Sequence, residues 1–147
     1  LAAVERCASG HSRAALQHVR SIGVCGQMHG CVLWKDEVPF LREGNLHALE
    51  PGSCGVLITW QDKRCSQAFL TSLPSASTSV PVSAGYGCAT LAWLQRYSPD
   101  DLARYNRAGT IMDLLVWSLC GELKMSDQNA TSWGYYDPVC KQWEEST

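Results

Sequence analysis

Long apolar runs and clusters of like charge are both missing from this chain of 147 residues. No apolar stretch approaches the roughly 20 residues that a helix needs to span a bilayer. The first residues also lack the basic segment and long apolar segment of a secretory signal. The 12 basic residues are scattered, and the formal net charge is only -2. We therefore expect no membrane segment and no nucleic-acid partner.

The chain contains 8 cysteines but no C-x-x-C pair, so a structural zinc site has little support. An even number of cysteines also suits the disulfide framework of a secreted protein. Against that, Cys25, Cys31, Cys88 and Cys120 lie in apolar segments, where buried free thiols are common. We expect reduced, structural cysteines and a cytoplasmic location. A secreted, disulfide-stapled binding protein remains the alternative.

The size and composition indicate a packed globular domain. Hydrophobic residues make up 46% of the chain and charged residues 18%, which is ordinary for such a domain. At this length one domain, or part of one, is expected. Because the sequence does not begin with Met, we interpret it as a piece of something longer. The sequence carries no signal for the oligomeric state.

Apolar segments of strand length alternate with helical patterns. We predict strands at residues 22–25, 31–34, 56–60 and 133–136, and helices up to Arg20, from Cys65, from Ser98-Pro99 and over residues 111–119. Residues 39–53 and 73–87 are predicted to be loops. Strands alternating with helices predict an α/β fold with a mainly parallel sheet and flanking helices.

Polar side chains follow two of these predicted strands. The carboxyl ends of strands are where open α/β sheets bind ligands. The side chains offer a stacking face and several hydrogen-bonding groups, which suits the hydroxyls of a polyol. The candidate substrate-binding residues are Gln27, Met28, His29, Trp60, Asp62 and Arg64.

Several of these residues also have a structural interpretation. His29 alone would be a turn histidine bonded to the backbone, and Met28 and Trp60 are residue types that often fill a core. Arg64 is suited to orienting Asp62 as well as to binding a ligand. Cys31 lies two residues after His29, but no third group that would orient a nucleophilic pair is evident.

The sequence G-Q-M-H-G at residues 26–30, followed by W-x-D-x-R at residues 60–64, resembles the amino-terminal domain of the FGGY carbohydrate kinases. Three later segments extend the resemblance over nearly the whole chain. They are G-Y-G-C-A-T-L-A-W-L at residues 85–94, D-L-L-V-W-S-L-C-G-E at residues 113–122, and S-D-Q-N-A-T-S at residues 126–132. Cys120 stands where the family has a threonine. The resemblance implies the ribonuclease H-like fold that sugar kinases share with actin.

The resemblance also implies a function. FGGY kinases transfer the terminal phosphate of ATP, with Mg, to a sugar, and residues 28–34 and 129–137 are most similar to members that act on the terminal hydroxyl of sedoheptulose. Kinase activity on another ketose such as xylulose, or a non-catalytic polyol-binding fragment, remains as an alternative. The resemblance implies that Gln27, Met28, His29, Trp60 and Asp62 face the sugar, with Arg64 in support. From its place near the start of a predicted helix, Asp113 is expected to be an electrostatic or capping device, and Ser126 and Asp127 are expected to shape a loop that caps or packs near the site.

Two motifs that the family uses for chemistry are missing from these 147 residues. One is the D-x-G-T turn that holds phosphate, and the other is the Gly-rich turn that carries the catalytic Asp. We therefore expect residues 1–147 to be the sugar-side part of the amino-terminal domain, without its first strands and without the second domain. ATP and Mg would be bound by the full-length enzyme, and this chain alone would be inactive toward ATP.

Overall fold

The computed structural model describes residues 9–10, 17–36, 41–42, 45–46, 52–76 and 80–145. Its helices are α1 (Gln67–Thr71), α2 (Gly87–Tyr97), α3 (Pro99–Leu102), α4 (Ile111–Cys120) and α5 (Asp127–Trp133). Its strands are β1 (Val32–Trp34), β2 (Leu41–Arg42), β3 (Asn45–Leu46), β4 (Arg107–Gly109), β5 (Tyr136–Asp137) and β6 (Gln142–Trp143). The helix predicted before Arg20 lies mostly outside the described residues.

Strand β1 lies at the centre of the described part, and its side chains alternate between two hydrophobic clusters. Val32 and Trp34 pack with Leu114 of α4 on one face. Cys31 and Leu33 pack with residues of α2 and α5 on the other face. Because successive side chains of a strand point to opposite faces, a strand buried on both sides reads as a continuous apolar run. The predicted strand at residues 31–34 is therefore confirmed.

The mainly parallel sheet was the wrong prediction for the described residues, where three two-stranded sheets are all antiparallel. Strand β1 pairs with β4, and Val32 lies opposite Gly109. On its other edge, β1 forms single antiparallel bridges from Cys31 to Ile58 and from Trp34 to Cys54. Between these two bridges, residues 54–58 have one residue more than residues 31–34. This extra residue makes a bulge, which interrupts the pairing, and residues 56–60 form no regular strand.

The strand predicted at residues 22–25 is also absent. No residue of this segment takes part in a strand ladder of the described residues, and Ile22 is 71% exposed. A strand requires a neighbour for its N–H and C=O groups, and both edges of β1 are already taken by other segments. Cys25 and Cys120, which we expected to be buried, are exposed, whereas Cys31 is buried and Cys88 is half-buried.

The local signals of helix α4 were interpreted correctly. Thr110 caps its first turn, and Gly121 adopts a left-handed conformation with φ of 71° at its end. The helices predicted from Cys65 and from Ser98-Pro99 are present as α1 and α3, although Ser98 makes no side-chain capping bond. Among the described residues, no helix is both long and apolar enough to cross a membrane.

Helix α5 was predicted as a loop. Ser126 is its N-cap and accepts a hydrogen bond from the Asn129 N–H. The polar residues that favour a loop in the sequence therefore begin a helix here. The helix continues to Trp133, so only Tyr136 of the strand predicted at residues 133–136 lies in a strand, β5. Gly87 at the start of α2 lets that helix lie directly on Trp133, since a Cβ there would be 2.0 Å from the indole. This close packing brings α5 to the turn after residue 26.

Candidate functional site

His29 lies at the centre of a tight turn with unusual backbone geometry. Its φ is 71°, and the Gly30 N–H donates to the Met28 carbonyl at 2.9 Å. A hydrogen bond that spans three residues around a positive φ defines the rare form of the γ-turn, which is strained for any residue other than glycine. Backbone strain of this kind is concentrated at functional sites.

Two groups from distant parts of the chain hold the imidazole of His29. Its Nδ1 lies 3.0 Å from the backbone carbonyl oxygen of Ser132, in helix α5. Its ring stacks on Tyr86, with the ring centroids 4.6 Å apart and the planes only 4° from parallel. The ring is therefore restrained in both position and orientation.

An open cavity of about 410 Å³ lies beside this turn, lined by Met28, His29 and Tyr86 together with residues of α5. Asp127 forms part of its wall and accepts a hydrogen bond from the Tyr136 hydroxyl at 2.8 Å. That bond and the Lys141 ammonium lower the pKa of the Asp127 carboxyl. The cavity thus combines an imidazole, an aromatic ring and a carboxylate that favours its ionised form.

Asp62 and Arg64 pair with each other. The guanidinium donates to both carboxylate oxygens, at 2.8 and 3.0 Å, and the Arg64 backbone N–H adds a bond of 2.9 Å. These hydrogen bonds lower the pKa of the Asp62 carboxyl. The guanidinium also lies 5.1 Å from the ring centroid of Trp93, so the pair is fixed from a third side.

The structure divides the six predicted site residues into groups. Met28 and His29 line the cavity of about 410 Å³, whereas Asp62 and Arg64 line a separate cavity of about 590 Å³. Gln27 and Trp60 are exposed and line neither. The assignment of the six residues to one sugar site remains a prediction.

The two groups are nevertheless linked by a close contact between two backbone segments. Gly85, with φ of 78°, lies so close to Trp60 that a Cβ would be 2.1 Å from the Trp60 carbonyl oxygen. The next residue is Tyr86, whose ring stacks on His29. This glycine contact connects the segment that carries Asp62 to Tyr86, the stacking partner of His29.

The family is settled by sequence comparison. The profile of the amino-terminal domain of the FGGY family of carbohydrate kinases matches residues 1–147. The chain belongs to the FGGY family of carbohydrate kinases. The fold of this FGGY domain is accordingly that of the sugar kinases and actin, and the described residues contribute helices and small antiparallel sheets to it.

Among curated relatives, the chain is similar to the sedoheptulokinases of Mus musculus and Homo sapiens. Identity is 44% in both cases, over 99% and 100% of this chain and over 31% and 32% of the relatives. The chain thus spans about a third of the length of these relatives. It is 28% identical to the xylulose kinase of Klebsiella pneumoniae, over 89% of this chain and 26% of that protein. No solved structure matches.

Two groups of this FGGY domain were missed by reasoning from the sequence. Tyr86 lies between two glycines in G-Y-G, a pattern that places an aromatic ring where the backbone comes close to other segments. The pattern could have identified it. The Ser132 carbonyl is a backbone group that is 103 residues from His29, and no sequence signal indicates such a pairing.

Asp113 has the role predicted for it. Its carboxylate accepts hydrogen bonds from the Thr110 N–H and hydroxyl, both at 2.7 Å, and completes a capping box. Burial raises the pKa of this carboxyl, and the hydrogen bonds from Thr110 oppose the rise. Asp113 is satisfied inside the fold and is not a group for substrate chemistry.

A Mg ion held by the protein alone would need several oxygen ligands close together. Nowhere in the described residues of the FGGY domain do three His, Cys, Asp or Glu side chains lie close enough to hold a metal ion. No step of the reaction is therefore assigned to Mg in the part of the domain that the structure describes.

Proposed function

We propose that the protein carrying this domain is a kinase that transfers the terminal phosphate of ATP to the terminal hydroxyl of sedoheptulose. The observation that carries the proposal is the difference in identity between relatives. The chain is 44% identical to two sedoheptulokinases over at least 99% of its length, but only 28% identical to a xylulose kinase over 89%. A kinase for xylulose is the second candidate.

We propose that the sugar binds beside the turn at His29. The cavity there offers the thioether of Met28 to the carbon skeleton, and the imidazole to a hydroxyl group. Gln27 and Trp60 are exposed, which leaves them available to a ligand. Asp62 is proposed as a further contact, with Arg64 as the group that orients its carboxylate.

Within this scheme the domain binds and orients the sugar, and the groups that act on phosphate lie elsewhere in the protein. Residues 1–147 would then be the sugar-side part of the amino-terminal domain. The protein would use ATP with Mg and work in the cytoplasm, where thiols stay reduced. The seven described cysteines are free, which supports a reducing compartment.

The test is a substrate panel on the intact protein. Sedoheptulose and xylulose are compared by the value of kcat/KM with saturating ATP, and the phosphorylated product is identified by mass spectrometry. We expect sedoheptulose to be preferred. A preference for xylulose would favour the second candidate, and sugar binding without phosphorylation of any ketose would show a non-catalytic polyol-binding protein.

The role of His29 is tested by replacing it with alanine in the same protein. His29→Ala should raise the KM for the sugar about ten-fold or more, because one hydrogen bond and a contact surface are lost, and should leave the KM for ATP nearly unchanged. His18→Ala is the matched control, since His18 is exposed and lines neither cavity. An effect of His29→Ala on ATP alone would contradict the proposed sugar site.

A further inference from the structure

Three independent restraints act on His29. The backbone holds φ at 71° in a hydrogen-bonded turn, the Ser132 carbonyl engages Nδ1 at 3.0 Å, and the Tyr86 ring covers one face of the imidazole. A histidine that only filled space would not need all three. The combination restrains both the position and the orientation of the ring.

The hydrogen bond to Ser132 determines which nitrogen carries the proton. A carbonyl oxygen only accepts hydrogen bonds, so Nδ1 must be the donor. A neutral imidazole has a single N–H, and its other nitrogen is then an acceptor. With Nδ1–H bound to Ser132, Nε2 presents a lone pair.

We infer that His29 is held as the Nδ1–H tautomer, with Nε2 as a fixed hydrogen-bond acceptor for a hydroxyl of the substrate, and that Tyr86 and the Ser132 carbonyl are the groups that position it. The hydroxyl partner rests on the proposed function, whereas the tautomer rests on the geometry of the ring. A sugar hydroxyl both donates and accepts, and a fixed acceptor requires it to donate. Its oxygen lone pairs then remain free for other donors, which orients the sugar.

Tyr86 acts in this arrangement through its ring and not through its hydroxyl. The near-parallel stacking at 4.6 Å limits rotation of the imidazole out of the plane that reaches Ser132. Phenylalanine would supply the same face, and leucine would not. The Tyr86→Phe and Tyr86→Leu variants therefore separate positioning by the ring from direct contact by the hydroxyl.

The tautomer is tested by nitrogen NMR on the intact protein with ¹⁵N-labelled histidine. The His29 signals are assigned by their loss in His29→Asn. At a pH where the ring is neutral, we expect a protonated Nδ1 and an unprotonated Nε2. A protonated Nε2 with a bare Nδ1 would overturn the inference. This measurement does not require activity, so it separates failure of the inference from failure of the proposed function.

The acceptor is tested by the kinetics of His29→Asn. Asparagine tolerates a positive φ, and its amide nitrogen is placed to replace the Nδ1 donor to Ser132, but it has nothing at the position of Nε2. We expect an unchanged melting temperature and an increase in the sugar KM of about ten-fold, with little change in the KM for ATP. An unchanged sugar KM in a folded variant would contradict the acceptor role.

The positioning role predicts a second pattern. Tyr86→Phe should keep the sugar KM within about two-fold of wild type, whereas Tyr86→Leu should raise it about five- to ten-fold and broaden the His29 ring signals. Equal losses in the two variants would show that the hydroxyl of Tyr86 contacts the sugar directly, and would overturn the positioning role.

Discussion

Asp113 illustrates how a charged residue is accommodated inside this domain. Only 3% of it is exposed, and one carboxylate oxygen accepts both hydrogen bonds from Thr110. The negative charge near the amino terminus of α4 also interacts favourably with the helix dipole. Hydrogen bonds, and not the charge itself, satisfy the buried group, so an amide oxygen in the same place should serve nearly as well.

We predict that Asp113→Asn changes the free energy of unfolding by less than about 1 kcal/mol, whereas Asp113→Ala lowers it by about 1–3 kcal/mol. Asparagine retains the oxygen that accepts from Thr110, and alanine leaves the buried Thr110 N–H and hydroxyl without their acceptor. Urea unfolding at pH 7 measures both values. Equal losses in the two variants would show that the charge is required.

The difference in stability between Asp113→Asn and wild type should depend on pH in a defined direction. Because burial raises the pKa of the Asp113 carboxyl, the folded state binds its proton more tightly than the unfolded chain does. The associated stability is fully present below the unfolded pKa and is lost as the pH rises through the folded pKa. Asp113→Asn should therefore gain stability relative to wild type as the pH is raised from acid to neutral. A loss of stability relative to wild type over the same pH range would contradict the raised pKa of Asp113.

At the residue scale, sequence reasoning found the groups but not their partners. Polar residues that follow apolar segments pointed to His29 and Asp62, and the place of Asp113 in its helix predicts a cap. The Ser132 carbonyl and the stacking of Tyr86 on His29 were not predicted. Such contacts depend on how segments meet in three dimensions, and only the assembled fold defines them.

At the element scale, local signals predicted helices α1, α3 and α4 but failed for most strands, since residues 22–25 and 56–60 form none of the strands. Helix α4 is encoded within one short segment by Thr110, Asp113 and Gly121. The pairing of β1 with β4 joins segments about 75 residues apart, as Val32 opposite Gly109 shows. The sequence of either segment alone determines neither the direction nor the register of such a pair. The parallel sheet was therefore inferred from alternation of elements, and the described residues have antiparallel pairs.

The contact between α2 and α5 gives a test at this scale. A Cβ on Gly87 would lie 2.0 and 2.1 Å from ring carbons of Trp133. We predict that Gly87→Ala lowers the free energy of unfolding by about 1–3 kcal/mol, because the overpacked helices must separate. The smaller conformational entropy of the unfolded alanine chain offsets only part of this loss. Chemical denaturation measures the change.

Gly23→Ala is the matched control, because a Cβ on Gly23 would meet no atom within 4 Å. We expect this variant to stay within about 0.5 kcal/mol of wild type. A Gly87→Ala variant as stable as Gly23→Ala would mean that α2 and α5 do not pack as closely as the structure has them. The position of the Ser132 carbonyl beside His29 would then be in doubt as well.

At the scale of the whole molecule, the described part is organised around the two buried faces of β1. Helix α4 covers the face with Trp34, and helices α2 and α5 cover the face with Cys31. The burial of the cysteine side chains follows this arrangement. Cys31 lies in the cluster between β1, α2 and α5, and Cys88 packs against it, whereas Cys25 and Cys120 are exposed.

We predict that alkylation of the native protein without reductant at pH 8 labels Cys25 and Cys120 first, and leaves Cys31 and Cys88 unlabelled until the chain unfolds. Burial raises the pKa of both inner thiols to about 12. Roughly one in 10,000 of them is then the reactive thiolate at that pH. Peptide mass spectrometry, before and after addition of urea, measures the order of labelling.

The same experiment tests the compartment proposed for the protein. After unfolding without reductant, all 8 cysteines of this chain should be labelled, because free thiols are what a reducing cytoplasm maintains. A pair that remains protected in urea would be a disulfide and would contradict the cytoplasmic assignment. Rapid labelling of Cys31 in the native state would instead contradict the burial of β1, since a strand covered on both faces admits no reagent to its thiol.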